Sequence, residues 1–108
     1  MLDQFLEAQD PIYEAVLKEI RNGEKKTHWM WFIFPQLKGL GTSPMSMRYA
    51  IEDDLQAHEY WNHPILGNRL RECFNLVEQS GKAPELIFSP IDTLKYLSCK
   101  KLFSKFTG

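Results

Sequence analysis

Cysteine is scarce in this sequence: the 108 residues include only Cys73 and Cys99, and the two do not form a CxxC motif. A disulfide framework is therefore not expected, and the reducing cytoplasm is the expected compartment. Long apolar runs are missing as well. The longest, residues 29–34, is far shorter than the ~20 residues that span a bilayer. The N-terminal residues carry acid rather than base and lack the pattern of a secretory signal.

An excess of charge of one sign is also missing. The chain has 13 basic and 14 acidic side chains, which gives a formal net charge of -1. Such a balance provides no general attraction to nucleic acid or to anionic lipid, so neither is an expected partner. The hydrophobic fraction of 44% is too high for a disordered chain.

Motifs for nucleophilic, phosphate-binding and metal chemistry are lacking too. There is no GxSxG motif, and the glycines of residues 39–41 form too short a run for a phosphate loop. The only histidines, His28, His58 and His63, show no ligand spacing with one another or with a cysteine. The sequence therefore predicts no metal site and indicates no cofactor.

What the chain does contain is a repeated pattern of polar cap, proline and amphipathic stripe. The pattern occurs at Asp10-Pro11, Ser43-Pro44, His63-Pro64 and Ser89-Pro90. At each point the polar side chain can cap a helix, and proline suits the first helical position. No stretch alternates apolar and polar residues over the length of a strand. We therefore predict an all-α fold, in which residues 1–108 form a single compact domain of about six or seven short helices.

The block at residues 29–34 is ambiguous on pattern alone. Six successive large apolar residues suit a buried strand by propensity and also suit a buried helical turn. Thr27 could cap a helix at this point, and Pro35 would end it near Phe34. Upstream, Gly23 is expected to end the preceding helix in the left-handed conformation.

Several polar side chains lie near apolar runs, with Trp29 and Trp31 available as stacking surfaces. They are His28, Gln36, Arg48, Tyr49 and Arg69. Aromatic walls with a few fixed donors are typical of a small-molecule site, and Arg with Gln suits a carboxylate, a phosphate or a base edge. The same groups could instead form a buried hydrogen-bond network that fixes helix packing. The residues alone favour the network over the pocket.

Residues 27–36, Thr-His-Trp-Met-Trp-Phe-Ile-Phe-Pro-Gln, make the chain resemble a mainly bacterial family known as domain of unknown function 1810. Some members of that family carry the label calpastatin. The resemblance covers nearly the whole chain, and further matching blocks lie at residues 5–11, 39–43, 48–51, 63–73, 92–95 and 102–103. It implies an all-helical fold in which residues 29–34 are helical. It implies no established activity, cofactor or catalytic residue.

The residues typical of this family overlap the polar group found above. They are His28, Trp31, Gln36, Arg48, Tyr49, Arg69 and Lys95. With this overlap, the pocket and the network are about equally supported. Family members usually continue beyond residues 102–103 into a further helical segment. This chain is therefore expected either to lack that C-terminal helix or to be a naturally short member.

Three functional hypotheses follow. In the first, the protein is a binding domain whose seven family-typical residues line an aromatic pocket for a small anionic or nucleotide-like ligand. In the second, it is a protein–protein interaction module without a small-molecule site, which forms homo-oligomers through an exposed apolar patch near the C-terminus. In the third, it is an enzyme in which His28 acts as the acid or base.

Overall fold

The fold is built from eight short helices within residues 2–106, the part of the chain that the computed structural model describes. The elements are α1 Asp3–Gln9, α2 Tyr13–Arg21, α3 Met30–Ile33, α4 Pro44–Arg48, α5 Asp54–Asn62, α6 Leu66–Gln79, α7 Pro84–Ile87, α8 Pro90–Phe103 and a 3₁₀ turn at Ser104–Phe106. The all-α prediction is confirmed. The helix number slightly exceeds the predicted six or seven because α3 and α7 each form a single turn. Over the same residues, extended pairing is limited to one parallel bridge between Leu37 and Ile51.

Polar side chains begin three helices where the sequence predicts them. Ser43 and Ser89 each accept a hydrogen bond at 3.2 Å from the amide three residues later, which starts α4 and α8. At the start of α6, His63 Nδ1 accepts hydrogen bonds from the amides of Ile65 and Leu66, both at 3.1 Å. This histidine is therefore a capping residue, as the sequence suggests.

Two other predicted caps are wrong. Helix α2 begins at Tyr13 without a side-chain cap, and the carboxylate of Asp10 instead pairs with Arg69 at 2.8 Å. Thr27 does not cap α3, because its hydroxyl donates to a carboxylate oxygen of Glu19 at 2.6 Å. In both cases a charged partner on another part of the chain binds the polar group. Local spacing does not contain that information.

The core is aromatic, and its centre is the block at residues 29–34. Helix α3 covers only four of these residues, because Phe34 leaves the helical region with φ -117° and ψ 74° before Pro35. The helical conformation that the family resemblance implies is thus confirmed for the middle of the block, residues 30–33. Phe34 is fully buried. Its ring centroid lies between 5.1 and 6.2 Å from those of Trp29, Phe74, Phe88 and Tyr96.

Two glycines have roles that other residues could not easily fill. Gly23 follows α2 with φ 74°, which is the left-handed conformation predicted for it. Gly67 allows α6 to approach the end of α5 closely. A Cβ atom built at Gly67 would lie 2.0 Å from the carbonyl oxygen of Trp61. Backbone atoms meet at this point, so the neighbour cannot move aside as a flexible side chain would.

We expect Gly67→Ala to lower the free energy of unfolding by about 2–4 kcal/mol, because the added methyl group forces α5 and α6 apart. Chemical denaturation followed by circular dichroism measures this loss. Glu59→Ala on the exposed face of α5 is the control and should change stability by less than about 0.5 kcal/mol. Equal stability of the two variants would contradict the close approach.

Candidate functional site

The seven family-typical residues do not form one site. His28, Trp31 and Lys95 line a common cleft, hereafter the Trp31 cleft. Gln36 and Tyr49 are buried in the core, and Arg48 is exposed. Arg69 belongs to a separate network formed by α1, α2 and α6. Of the seven residues predicted to line one pocket, the structure thus brings only three together in this cleft.

The Trp31 cleft lies between the segment leading into α3 and the first turns of α8, with α4 at one side. Its volume is about 100 Å³. It is lined by Lys25, His28, Trp29, Met30, Trp31, Phe32, Met45, Asp92 and Lys95. The aromatic block thus serves as both the centre of the core and one wall of the cleft.

Two lysines share one carboxylate in this cleft. Lys25 Nζ lies 2.9 Å from Asp92 Oδ2, and Lys95 Nζ lies 3.3 Å from Asp92 Oδ1. The three side chains, hereafter the Lys–Asp–Lys triad, are only 9%, 16% and 20% exposed in the order Lys25, Asp92, Lys95. Burial alone would raise the pKa of the Asp92 carboxyl, but the two lysines outweigh it and hold that pKa below its usual value. The triad therefore carries one positive charge in excess.

Both lysines also contact aromatic rings. Lys95 Nζ lies 4.2 Å from the ring centre of Trp31, and Lys25 Nζ lies 5.2 Å from that of Trp29. Both distances are within the range of cation–π attraction. Together with the shared carboxylate, these contacts hold the two ammonium groups in fixed positions at the cleft.

Glu19 holds the segment that carries His28, and the sequence analysis missed it. One oxygen, Oε1, accepts from the amides of Lys26 and Thr27 at 2.7 and 3.0 Å and from the Trp29 indole at 3.0 Å. The other, Oε2, accepts from the Thr27 hydroxyl. Burial opposes ionisation of this carboxyl, but the four hydrogen bonds prevail and lower its pKa from 4.5 to about 2. The sequence does contain a signal for Glu19. A carboxylate in the last turn of a helix is unfavourable next to the helix dipole, which suggests that it has another partner.

Arg69 stabilises the fold on the other side of the aromatic block. Its guanidinium donates to Gln9 at 3.3 Å and to Asp10 at 2.8 Å, and it lies 4.8 Å from the ring centre of Tyr13. The buried amide of Gln9 in turn donates to the carbonyl of Phe32 at 2.7 Å and to the Tyr60 hydroxyl at 3.0 Å. The contacts of Arg69 are therefore those of a hydrogen-bond network that joins α1, α2 and α6.

Gln36 and Tyr49 are core residues. The backbone carbonyl of Gln36 accepts from the amide of Ile51 at 2.8 Å, while its side-chain Nε2 has no hydrogen-bond partner within residues 2–106. The Tyr49 ring packs between Phe5 and Phe32, with centroid distances of 5.9 and 5.3 Å. These contacts explain burial and packing, and they do not bring either side chain to the Trp31 cleft.

The two cysteines are buried free thiols. Burial raises the pKa of the Cys73 thiol to about 12 and that of Cys99 well above its usual value. Because the thiolate is the reactive form, both are inert packing residues at neutral pH. The described residues also contain no group of three or more His, Cys, Asp or Glu side chains arranged to hold a metal ion.

Comparison with known proteins gives the chain a family. Residues 1–108 match the family described as "Protein of unknown function (DUF1810)". The chain belongs to this family. A solved structure, the crystal structure of the conserved hypothetical protein Rv1873 from Mycobacterium tuberculosis, is similar with a TM-score of 0.94 and 48% sequence identity. The match covers 98% of this chain and 76% of that one.

A search among curated proteins finds no match. Within residues 2–106, none of the helices has the length and apolar character that crossing a membrane requires. The family and its solved relative thus support the fold.

We expect Glu19→Gln to lower the free energy of unfolding at neutral pH by about 2 kcal/mol, because a charged acceptor with four donors is lost. The carboxylate stabilises the fold fully above its ordinary pKa of 4.5, and this contribution is lost as the pH falls toward the folded value of about 2. The difference between wild type and variant should therefore shrink by about half or more near pH 3.

Denaturant unfolding at both pH values measures this difference. Glu14→Gln is the matched control, because Glu14 is exposed on the same helix. A stability difference that stayed the same at both pH values would show that the Glu19 charge is not what holds the segment.

Proposed function

We propose that this protein is a binding domain and that the Trp31 cleft receives the anionic group of a small ligand. The observation that carries the proposal is the charge of the Lys–Asp–Lys triad. Two ammonium groups with little exposure share a single carboxylate, and buried charges are normally paired. A carboxylate or phosphate group in the cleft would neutralise the excess positive charge.

The size of the cleft limits what it can bury. A volume of about 100 Å³ has room for about three water molecules, which suits one anionic group. Pockets that enclose a whole drug-sized ligand have about 300–1,000 Å³. A nucleotide-like ligand would therefore insert only its phosphate, while its base would lie outside, against the partly exposed Trp31 or the exposed Met45.

Compartment and enzyme chemistry also remain proposals. The free thiols Cys73 and Cys99 support the reducing cytoplasm as the site of action. For the enzyme hypothesis, exposed His28 does line the cleft. No residue in the described part of the chain hydrogen-bonds its imidazole, however, and acid–base catalysis benefits from a group that orients the ring. The geometry therefore favours binding over catalysis.

We expect a small anion that fits the cleft to raise the thermal unfolding midpoint. A ligand at 100 times its dissociation constant adds about 2.7 kcal/mol, or about 10 °C or more for a domain of this size. The panel comprises inorganic phosphate, simple carboxylates, sugar phosphates and nucleotides. Absence of any shift across the panel would overturn the proposal.

Lys95→Gln should reduce the affinity for the stabilising anion about tenfold or more, because a charged donor is replaced by a neutral one. Titration calorimetry measures the change. Lys101→Gln, exposed on the same helix, removes the same charge away from the cleft and should leave affinity unchanged. If both variants lost affinity equally, the anion would be responding to overall charge.

A second candidate function is self-association through α8. Ile91, Leu94 and Leu97 are 68%, 68% and 48% exposed, while Tyr96 and Cys99 on the opposite face of α8 are buried. A helix that is apolar on both faces usually packs on both. A second copy of the chain could cover the outer face in a symmetric dimer.

Light scattering coupled to size-exclusion chromatography tests this candidate. The expected mass is twice that of the monomer, and Leu94→Glu should return it to the monomer value by placing a charge in the apolar contact. Leu55→Glu is the control, since Leu55 is equally exposed at 68% but lies on α5. A monomeric wild type would exclude the dimer.

A further inference from the structure

A second concavity of the fold lies away from the Trp31 cleft, between α6 and the end of α8. This concavity, hereafter the α6–α8 pocket, has a volume of about 550 Å³, which is typical of pockets that bury a small organic molecule. Its apolar lining is aromatic and comprises Trp61, Phe74, Phe103 and Phe106. None of the family-typical residues singled out in the sequence lines it.

The aromatic wall offers flat surfaces. The Trp61 ring lies nearly parallel to those of Phe103 and Phe106, with interplanar angles of 25° and 29° and centroid distances of 5.8 and 6.2 Å. Trp61 and Phe106 are both partly exposed, whereas Phe103 is fully buried. These mutual contacts hold the exposed parts of Trp61 and Phe106 in place, so a planar ligand can lie against them with little loss of side-chain freedom.

Arg71 is a charged residue of this pocket whose guanidinium is held in a fixed position. Its guanidinium donates to the carbonyl of Trp61 at 3.0 Å and to Asn68 Oδ1 at 2.8 Å, and it lies 4.7 Å from the ring centre of Trp61. Both acceptors are neutral, and within residues 2–106 Arg71 forms no ion pair with a carboxylate. The other charges on the lining, Glu78 and Lys100, neutralise each other at 2.8 Å. The lining therefore has a net positive charge, and that charge is on a preorganised guanidinium.

We propose that the α6–α8 pocket binds a planar aromatic anion, whose ring stacks against Trp61 and Phe106 and whose carboxylate pairs with Arg71. A guanidinium offers donors in a plane that matches a carboxylate, and its attraction to the ring of Trp61 holds that plane beside the stacking surface. The site differs from the Trp31 cleft in its residues and in the ligand it selects, so the two proposals stand or fall separately.

The test uses naphthoate as the probe and naphthamide as its neutral counterpart of the same shape. Binding is followed by titration calorimetry and by the amide and indole signals in a proton–nitrogen correlation spectrum of the full chain. Naphthoate should bind more tightly than naphthamide, and its signal changes should centre on Trp61 and Phe103. Its affinity should fall with added salt while that of naphthamide does not.

Arg71→Gln should weaken naphthoate binding about tenfold or more and leave naphthamide binding unchanged. Two controls accompany it: Arg48→Gln removes an exposed arginine outside the pocket, and Lys95→Gln removes a cation of the Trp31 cleft. Neither should alter naphthoate affinity. If Arg71→Gln does not fold, Arg71→Lys retains the charge, and the salt dependence of the wild type still reports the ion pair.

Three results would overturn the proposal. Equal affinity for naphthoate and naphthamide would show that Arg71 selects no anion. Absence of signal changes at Trp61 and Phe103 at about 5 mM naphthoate would show that the pocket does not take the probe. Broadening of the same signals with protein concentration, without ligand, would show that a second copy of the chain occupies the pocket.

Discussion

The rest of the structure depends on how the aromatic block at residues 29–34 is held. Phe34 packs against four rings in the core, and aromatic burial of this kind is the largest favourable contribution available to a small domain. Two polar side chains fix the orientation of the block from opposite sides. Gln9 binds the carbonyl of Phe32, and Glu19 binds the turn that precedes it. These hydrogen bonds add directional contacts to hydrophobic packing, which has no direction of its own.

Much of the fold could be predicted from local patterns because its helices have local causes. The serine–proline starts at Ser43 and Ser89 and the glycine stop at Gly23 all appear as expected. Residues 29–34 could not be assigned from pattern, because six successive large apolar residues carry no periodicity. The caps expected at Asp10 and Thr27 failed because Arg69 and Glu19 offered stronger partners.

The candidate site was harder to predict than the fold, since it depends on contacts between distant parts of the chain. The side-chain chemistry of Arg69 predicts a common site with His28. In the structure, however, its partners are Gln9 and Asp10, about sixty residues earlier. Only the family resemblance made Lys95 a candidate site residue, and in the structure its ammonium group lies over the ring of Trp31. Its neighbour Asp92, which pairs the two lysines, has no motif that would distinguish it from a surface acid in the first turn of a helix.

The Lys–Asp–Lys triad also ties the segment before α3 to helix α8. The segment is attached at two further points, since the amide of Lys25 donates to the carbonyl of Ile87 at 2.9 Å and Glu19 binds residues 26–29 from α2. Each attachment comes from a different helix, so the segment stays tied to the fold when any one of them opens. An anion that paired with the two lysines of the triad would therefore stabilise the whole segment, including residues that it does not contact.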